Sequence, residues 1–461
     1  MLSERAKVSV ILTASFAAII SPISSSIYFP ALNSLAEDLD VSVSLITLTI
    51  TAYLVSSKHP FLQKKKLPLL EAIPKGARTR AHRNRQIFQG LAPSFIGNFS
   101  DRNGRCPAYI IYFAVYIGAN IGLALQNNYA ALRVLRYLQS SGSSGTIALG
   151  SAVVADVPTR AQRGKYIGYA SMGVTLGPAL GPIPGGLLDQ YLGWRSIFWF
   201  LVIFAAVFFV VVAVALPETC RAVVGNGSVP PPSRWQLSVF PYLRQRVRKG
   251  KQSEADVQTI KRGRRRPNLQ AALKIAGEKE AGMILWYGSL PYAGYFAVLS
   301  TLSTRLEARY GFSSLQIGLC YLPLGFGSLT SRWTVGRILD KNFHRVARLH
   351  GMPIVHNRQE DIPRFPIEFA QLQVSILLIY GACLTIIAYS WVMNFKTSLA
   401  APLIMLFIVG HLVTGPFSTL NTLVVDINRE APATAKEGRK AKKKGDLESG
   451  SPDEKKSTDP K

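Results

Sequence analysis

Residues 168–186 read GYASMGVTLGPALGPIPGG. Gly168, Gly177, Gly181, Pro182, Gly185 and Gly186 stand in the spacing G-x8-G-x3-G-P-x2-G-G within an apolar run. Glycines at these intervals strip side chains from one helix face and admit a neighbouring helix closely, while the prolines withdraw backbone donors and bend the helix. A merely tight helix contact would not require the whole spacing. The stretch predicts a bent, closely packed helix of a membrane protein.

Working outward, apolar residues gather in runs of about twenty, the length a helix needs to cross roughly 30 Å of hydrocarbon. Of 461 residues, 48% are hydrophobic and 17% charged. Spans are expected near 7–30, 42–54 continuing at 87–96, 107–125, 129–155, 166–188 and 195–216, then at 283–302, 314–339, 370–393 and 399–425. The fold class is therefore all-α and polytopic, with ten helices of which the second is interrupted. Arg5 and Lys7 precede an apolar run as in a signal peptide, yet apolar, Ser-rich sequence continues to Pro30 with no clean cleavage site. A retained first span is expected.

The formal net charge is +27. Spread over one face, that charge would suit nucleic acid. Here it sits in short segments between apolar runs: DRNGR (101–105), TRAQRGK (159–165), RQRVRKGK (244–251), KRGRRR (261–266) and HRVARLH (344–350). These alternate with loops poor in Lys and Arg, such as LAEDLD (35–40), QNN (126–128) and DQYLG (189–193). The positive-inside rule puts the basic set and both termini in the cytoplasm, so the sequons at Asn98 and Asn226 should stay unglycosylated. Cys106, Cys220, Cys320 and Cys383 stand apart, which predicts neither a disulfide framework nor a metal site.

A repeat runs through the chain. GNFSDR (97–102) follows the second span and GRILDK (336–341) ends the eighth; AVVAD closes the fourth at Asp156 and TLVVD the tenth at Asp426. Paired features six helices apart predict two similar halves joined by a basic segment, 217–282. Within GNFSDRNGRCPAY, Gly97 and Gly104 allow tight backbone, and Asp101, Arg102 and Arg105 can pair charges and cap a neighbouring helix. Arg136 lies inside an apolar span with Gln139 one turn on, at an insertion cost of about 2.5–3.5 kcal/mol, so it should face a cavity or a partner. Arg133, nearer the helix end, should snorkel. Tyr292 and Tyr295 have polar tips that suit a mixed cavity or ordinary packing equally. His411 lies within a span and titrates in a useful range. No Asp or Glu sits clearly mid-membrane.

These motifs together resemble the Major Facilitator Superfamily, specifically the fungal quinidine-resistance type of twelve-helix drug:proton antiporter. The 97–105 loop is similar to the superfamily signature after helix 2, Arg136 and Gln139 to its helix-4 motif, and the 168–186 glycines to its antiporter motif. SPISSSIYFPAL (21–32), GWRSIFWF (193–200), LPET (216–219), VVGNGSVPP (223–231) and YGFSSLQIGLCYLP (310–323) resemble the fungal subgroup. The resemblance implies alternating access and export of drugs or other amphipathic compounds against proton entry. It also implies no enzymatic activity, no cofactor beyond the proton gradient, and a plasma-membrane location. The expected partners are a small-molecule substrate, protons and the bilayer, with the chain a monomer. By the same resemblance Gly97, Asp101, Arg102, Gly104 and Arg105 form a cytoplasmic gate with Asp156 as charge partner. Arg136, with Gln139 in the same motif, lines the cavity and takes part in proton coupling, and the glycines bend between states; Tyr292, Tyr295 and His411 are cavity or proton-coupling candidates on their own chemistry.

The pattern is broken in four places. Cys106 stands where a second base is usual, and Pro184 adds a proline to the antiporter motif. After Asp426 the chain is polar and charged through 461, where two further helices would be expected. Ahead of all three, residues 55–86 carry nine Lys or Arg against one Glu. Burying that charge would cost on the order of 20 kcal/mol or more. Removing 55–86 joins the flanks as TAYLIFQGLAP and restores both span length and family pattern, as expected of a translated intron. The expected domains are thus 1–216, an N-terminal bundle interrupted at 55–86; 217–282, a linker; 283–425, a four-helix second bundle; and 426–461, a tail. A truncated or mis-spliced membrane protein without transport is the alternative, and a sugar-type facilitator a weaker one.

Overall fold

The computed structural model describes residues 4–58, 100, 103–157, 177–178, 180–224, 279–349, 367–395 and 398–427. The basic block beyond Lys58, most of the linker, the tail after Ile427, and Gly97, Asp101, Arg102 and Gly168 lie outside the described residues. Every regular element among the described residues is helical. The first half holds α1 (Glu4–Ser26), α2 (Leu32–Asp38), α3 (Val43–Lys58), α4 (Arg105–Leu125), α5 (Tyr129–Asp156), α6 (Pro182–Leu192), α7 (Arg195–Ala215) and α8 (Arg221–Val224). The second holds α9 (Lys279–Tyr310), α10 (Ser314–Cys320), α11 (Leu322–Leu349), α12 (Ile367–Asn394) and α13 (Ala400–Ile427).

Five of these helices contain stretches long and apolar enough to cross a membrane: Lys7–Ser26, Arg105–Leu125, Arg195–Val214, Phe369–Asn394 and Ala400–Phe417. Their outward faces are apolar, as a lipid solvent requires. On α7 the exposed side chains include Trp199, Ile203, Val207 and Val210, a stripe at four- and three-residue steps. The polar residues of α5 turn inward instead: Arg136, Gln139, Ser140 and Ser143 are fully buried.

The helices form two bundles. In the first, α5 packs on α1, α3 and α4, and α7 on α1 and α4; in the second, α13 packs on α9, α11 and α12. Two short elements join the bundles, α6 against α10 and α2 against α9. Both junctions lie at one end of the molecule, beside the turns at 27–31, 39–42 and 193–194, here termed the distal end. The opposite, basal end carries Gly104, Asp156 and Glu218.

Several boundaries differ from expectation: α3 continues to Lys58, into the block expected to interrupt the span at residue 55, and α6 continues to Leu192, past the end expected at 188. The first span stops at Ser26 rather than residue 30, because Ser24, Ser25 and Ser26 bond back to carbonyls of their own last turn before Pro30. The run 314–339 is two helices broken at Tyr321, and the second continues to Leu349. Nothing in KNFHRVARL breaks a helix, whereas the matching first-half loop has Gly104 at φ +106° before α4 begins. The seventh span extends to α9, which runs past the apolar stretch at both ends. The halves do match at their ends: α5 and α13 each have 28 residues, finishing at Asp156 and one residue beyond Asp426.

Candidate functional site

At the centre of the first bundle Arg136 is fully buried. Its Nη1 donates to Gln139 Oε1 at 2.7 Å, Gln139 Nε2 donates to Asn120 Oδ1 at 2.7 Å, and Asn120 Nδ2 donates to the Tyr116 carbonyl at 2.8 Å. The Tyr116 hydroxyl bonds in turn to Ser24. The guanidinium lies over the Tyr28 ring, 4.0 Å from its centroid, and the Tyr28 hydroxyl meets Thr49 at 3.2 Å. Four helices and the turn after α1 thus converge on one cation, with donors and acceptors alternating along the chain. Sequence spacing finds Arg136 and Gln139. It misses Asn120 and Tyr28, because a lone Asn or Tyr in an apolar run gives no signal of its partners.

The basal cluster is built around a helix start. Arg105 Nε donates to Asp156 Oδ2 at 3.0 Å and its Nη1 to Ser100 Oγ at 2.8 Å. The pair is nearly buried, with side chains 9% and 15% exposed. Glu218, in the LPET segment after α7, turns back to cap α4. Its carboxylate accepts from the backbone N–H of Arg105 at 2.8 Å and of Cys106 at 3.1 Å, and also from those of Thr219 and Cys220. A carboxylate on the positive end of a helix is favourable. Gly104 is required there: its φ is +106°, and a Cβ would lie 2.3 Å from the Glu218 carboxylate. Cys106, standing where a base was expected, is buried and donates its thiol to the Leu216 carbonyl at 3.2 Å. The structure therefore brings Arg105 to Asp156 as expected and adds Glu218, which sequence reading placed only as part of a subgroup motif.

The described glycines of the 168–186 motif lie in a wedge between the bundles. A Cβ on Gly177, Gly181 or Gly185 would meet Pro22, Ser26 or Ile27 at 2.4, 2.1 and 1.9 Å, so this face lies against the end of α1. Gly186 faces the other way: its Cβ would come 2.3 Å from the Ser314 carbonyl, and one on Gly318 would lie 2.6 Å from that of Pro182. Just beyond, Asp189 Oδ2 accepts from Ser34 at 2.8 Å and from Ser314 at 2.6 Å, one hydroxyl from each half. Ser303 donates to the Phe29 carbonyl at 2.7 Å, and Phe29 stacks on Tyr321 with centroids 5.9 Å apart. The glycine spacing thus marks the distal seam between the halves.

The second-half candidates are placed separately. Tyr295 is buried and Tyr292 packs beside it, in a cluster with Phe296 and with Phe417 of α13 at 4.7 Å. His411 lies between two hydroxyls of α11, with Nδ1 3.0 Å from Thr330 and Nε2 3.2 Å from Thr334, so either neutral tautomer has a partner at both nitrogens. Arg332, two residues from each threonine, is half-buried, and sequence reading passed over it. A distal cleft of ≈ 590 Å³ between α2 and α9 is lined by Asn33, Glu37, Asp40, Thr304 and Glu307, among others, and by none of the expected cavity residues. No group of His, Cys, Asp or Glu fit to hold a metal occurs among the described residues.

Two helical bundles meeting at a short seam, with a polar chain inside one of them, define a polytopic membrane protein of the solute-transporter type. The model of the Major Facilitator Superfamily matches residues 85–435, and the chain belongs to that superfamily. It is 44% identical over 427 residues to MFS-type transporter clz19 of Cochliobolus lunatus, covering 93% of this chain and 74% of that protein. To Citrate exporter 1 of Aspergillus niger it is 35% identical over 436 residues, covering 93% and 76%. Among solved structures, the partially occluded inward-open xylose transporter XylE from E. coli matches with TM-score 0.56 at 13% identity, covering 94% of this chain and 87% of that one, a likeness of fold.

Proposed function

We propose that the chain is a proton-coupled exporter of small amphipathic compounds, drugs among them, of the fungal quinidine-resistance type, working as a monomer in the plasma membrane. The bundles 1–216 and 283–425 rock about a central path, the segment 217–282 links them, and 426–461 is a tail. The distal end faces outward and both termini face the cytoplasm, because basic loops alternate along the sequence with loops poor in Lys and Arg, and two of the latter, 35–40 and 189–193, lie at the distal end. The observation that carries the reading is Arg136: a fully buried cation held by Gln139, Asn120 and Tyr28 is costly in a bilayer and serves a solute or proton path. In this reading the Arg105–Asp156 pair belongs to the cytoplasmic gate, the glycines let the seam re-form in each cycle, and His411 with Tyr292 and Tyr295 contributes on the second side.

The test is efflux of a fluorescent amphipathic dye from energised yeast expressing the chain. Export abolished both by an uncoupler and by Arg136→Ala supports the reading; dye accumulation unchanged by expressing the chain overturns it. One observation favours a second cargo class. The ionisable groups deep in the described spans are Arg136, Arg332 and His411, with no carboxylate among them, a set that suits anions. The 35% identity to a protein named as a citrate exporter points the same way. Competition of dye export by di- and tricarboxylates separates the two.

The block 55–86 is read as a translated intron. The family match begins at residue 85, at the C-terminal edge of the block. A mature message containing codons 55–86 would exclude that reading.

A further inference from the structure

The distal seam contains a carboxyl group that no expectation above used. Asp189 lies one residue beyond the apolar span ending at 188, and it is only 7% exposed. Its Oδ2 accepts from Ser34 of the first half and from Ser314 of the second, and Oδ1 has no hydrogen-bond partner among the described residues. A buried carboxylate is ordinarily balanced by a cation.

The neighbouring elements leave Asp189 without such a partner among the described residues. On α6 itself the remaining titratable group is Tyr191, which is exposed. Along α10 there is no charged residue, and Cys320 at its end is buried. Helix α2 brings Glu37 and Asp38, the latter engaged by Trp194 Nε1 and Arg195. Helix α7 brings that Arg195, whose other nitrogen donates to Asn127 at 2.7 Å. Helix α9 brings Arg305, Glu307 and Arg309; Arg309 donates to the Met393 carbonyl, and Glu307 accepts from Asn33. The charge that acts on Asp189 is Glu307, of like sign.

We propose that Asp189 is the proton-binding latch of the distal gate: the seam closes on a neutral Asp189 and opens when that carboxyl is charged. The supporting electrostatics agree in sign. Burial raises the carboxyl above its ordinary range, hydrogen bonds from Ser314 and Ser34 oppose the rise, and Glu307 adds to it. With the seam open, water reaches Asp189 and supports its charge. A proton taken from that water neutralises it, and the α6–α10 contact at Gly186 and Ser314 can close over an uncharged group. Because the open state has the lower proton affinity, acid favours closure. The inference rests on the transporter reading for its place in a cycle, but the latch is a property of the seam alone.

The test uses the full chain in lipid nanodiscs, with no pH difference across them. Spin labels replace Leu192 and Ala308, exposed residues on either side of the seam, with Cys383→Ser removing the half-buried native thiol. Label distances are read in steps from about pH 8 to about pH 5, on the side of the ordinary carboxylate range toward which burial moves a carboxyl. The expected result is a short-distance population that grows on acidification in the parent and is present at every pH in Asp189→Asn. A parent without pH response, or Asp189→Asn titrating like the parent or held open, overturns the proposal. If Asp189→Asn does not assemble, Asp189→Glu decides: a pH response with a displaced midpoint supports the latch, and the parent midpoint overturns it. Asp38→Asn, on the same surface but already paired, should leave the response unchanged. Loss of dye export with this titration intact would count against the exporter reading and not against the latch.

Discussion

The two ends of the molecule are held together by different chemistry. At the basal end the described contacts are charged and stay inside one bundle: Arg105 to Asp156, and Glu218 to the start of α4. At the distal end they are mostly neutral and most run between bundles: Ser314 to Asp189, Ser303 to Phe29, and Phe29 on Tyr321, with Ser34 to Asp189 inside the first half. Buried ion pairs are costly to break, because either partner alone is left as an uncompensated charge. Hydroxyl bonds and ring stacking each contribute only about 1 kcal/mol. A contact that must part and re-form therefore suits the distal kind, and one that keeps a bundle rigid suits the basal kind.

The largest effect that would break this contrast is at Arg105. Replacing it with Ala removes the cation paired with Asp156 in a nearly buried site and should cost about 3–5 kcal/mol, read as a large drop in the melting temperature of the purified chain. The loss should be equal in open and closed populations, since the pair lies within one half. Next is Glu218→Ala, which takes the acceptor from four backbone N–H groups and leaves α4 uncapped. About 2–3 kcal/mol is expected, with Glu218→Gln losing less. The distal counterpart is Ser34→Ala with Ser314→Ala. Each costs about 1 kcal/mol, but the effect should show as a shift of seam distances toward the open form with little change in melting temperature. If the serine pair lowered stability as much as Arg105→Ala without moving the seam, the contrast between the ends would be wrong.

Much of this architecture could be read in advance. Apolar runs placed the long helices, and the glycine spacing at 177–186 marked a face of close approach, because both signals are local and periodic. The spacing gave no indication that Gly185 and Gly186 touch different halves, Ile27 on one side and Ser314 on the other. Asp189 and Glu218 were passed over for a related reason. Each sits at a span edge, where a carboxylate reads as an ordinary loop residue, and its meaning lies in partners 100 or more residues away. Arg136 was legible because charge inside an apolar run is anomalous by itself, whereas the Asn120 and Tyr28 that hold it are unremarkable in sequence. His411 was found on the same ground, but its two threonines on α11 were not.

The smallest expected effect tests whether charge at the distal end behaves as surface charge. Asp38 accepts from Trp194 Nε1 at 3.0 Å and from Arg195 Nη1 at 2.8 Å, with the two ion-pair side chains 46% and 39% exposed. Its carboxyl is held below the usual range, first by the Trp194 hydrogen bond and then by Arg195. A depressed pKa stabilises the folded chain above the unfolded value, near 3.9, and that share is lost as pH falls through the lower folded value. Solvent screening limits it, so Asp38→Asn should cost under about 1 kcal/mol at neutral pH and less in high salt. The difference in melting temperature between parent and variant should begin to shrink as pH falls below about 4 and vanish once the pH is below the folded value. Asp189 carries the opposite sign: its raised pKa means that keeping it charged in the closed seam costs stability at neutral pH, and acid relieves that cost. Two aspartates on one surface, one exposed and paired and the other buried without a cation, should therefore respond to acid in opposite directions. A seam that weakened in parallel with the Asp38 site on acidification would remove the distinction between them.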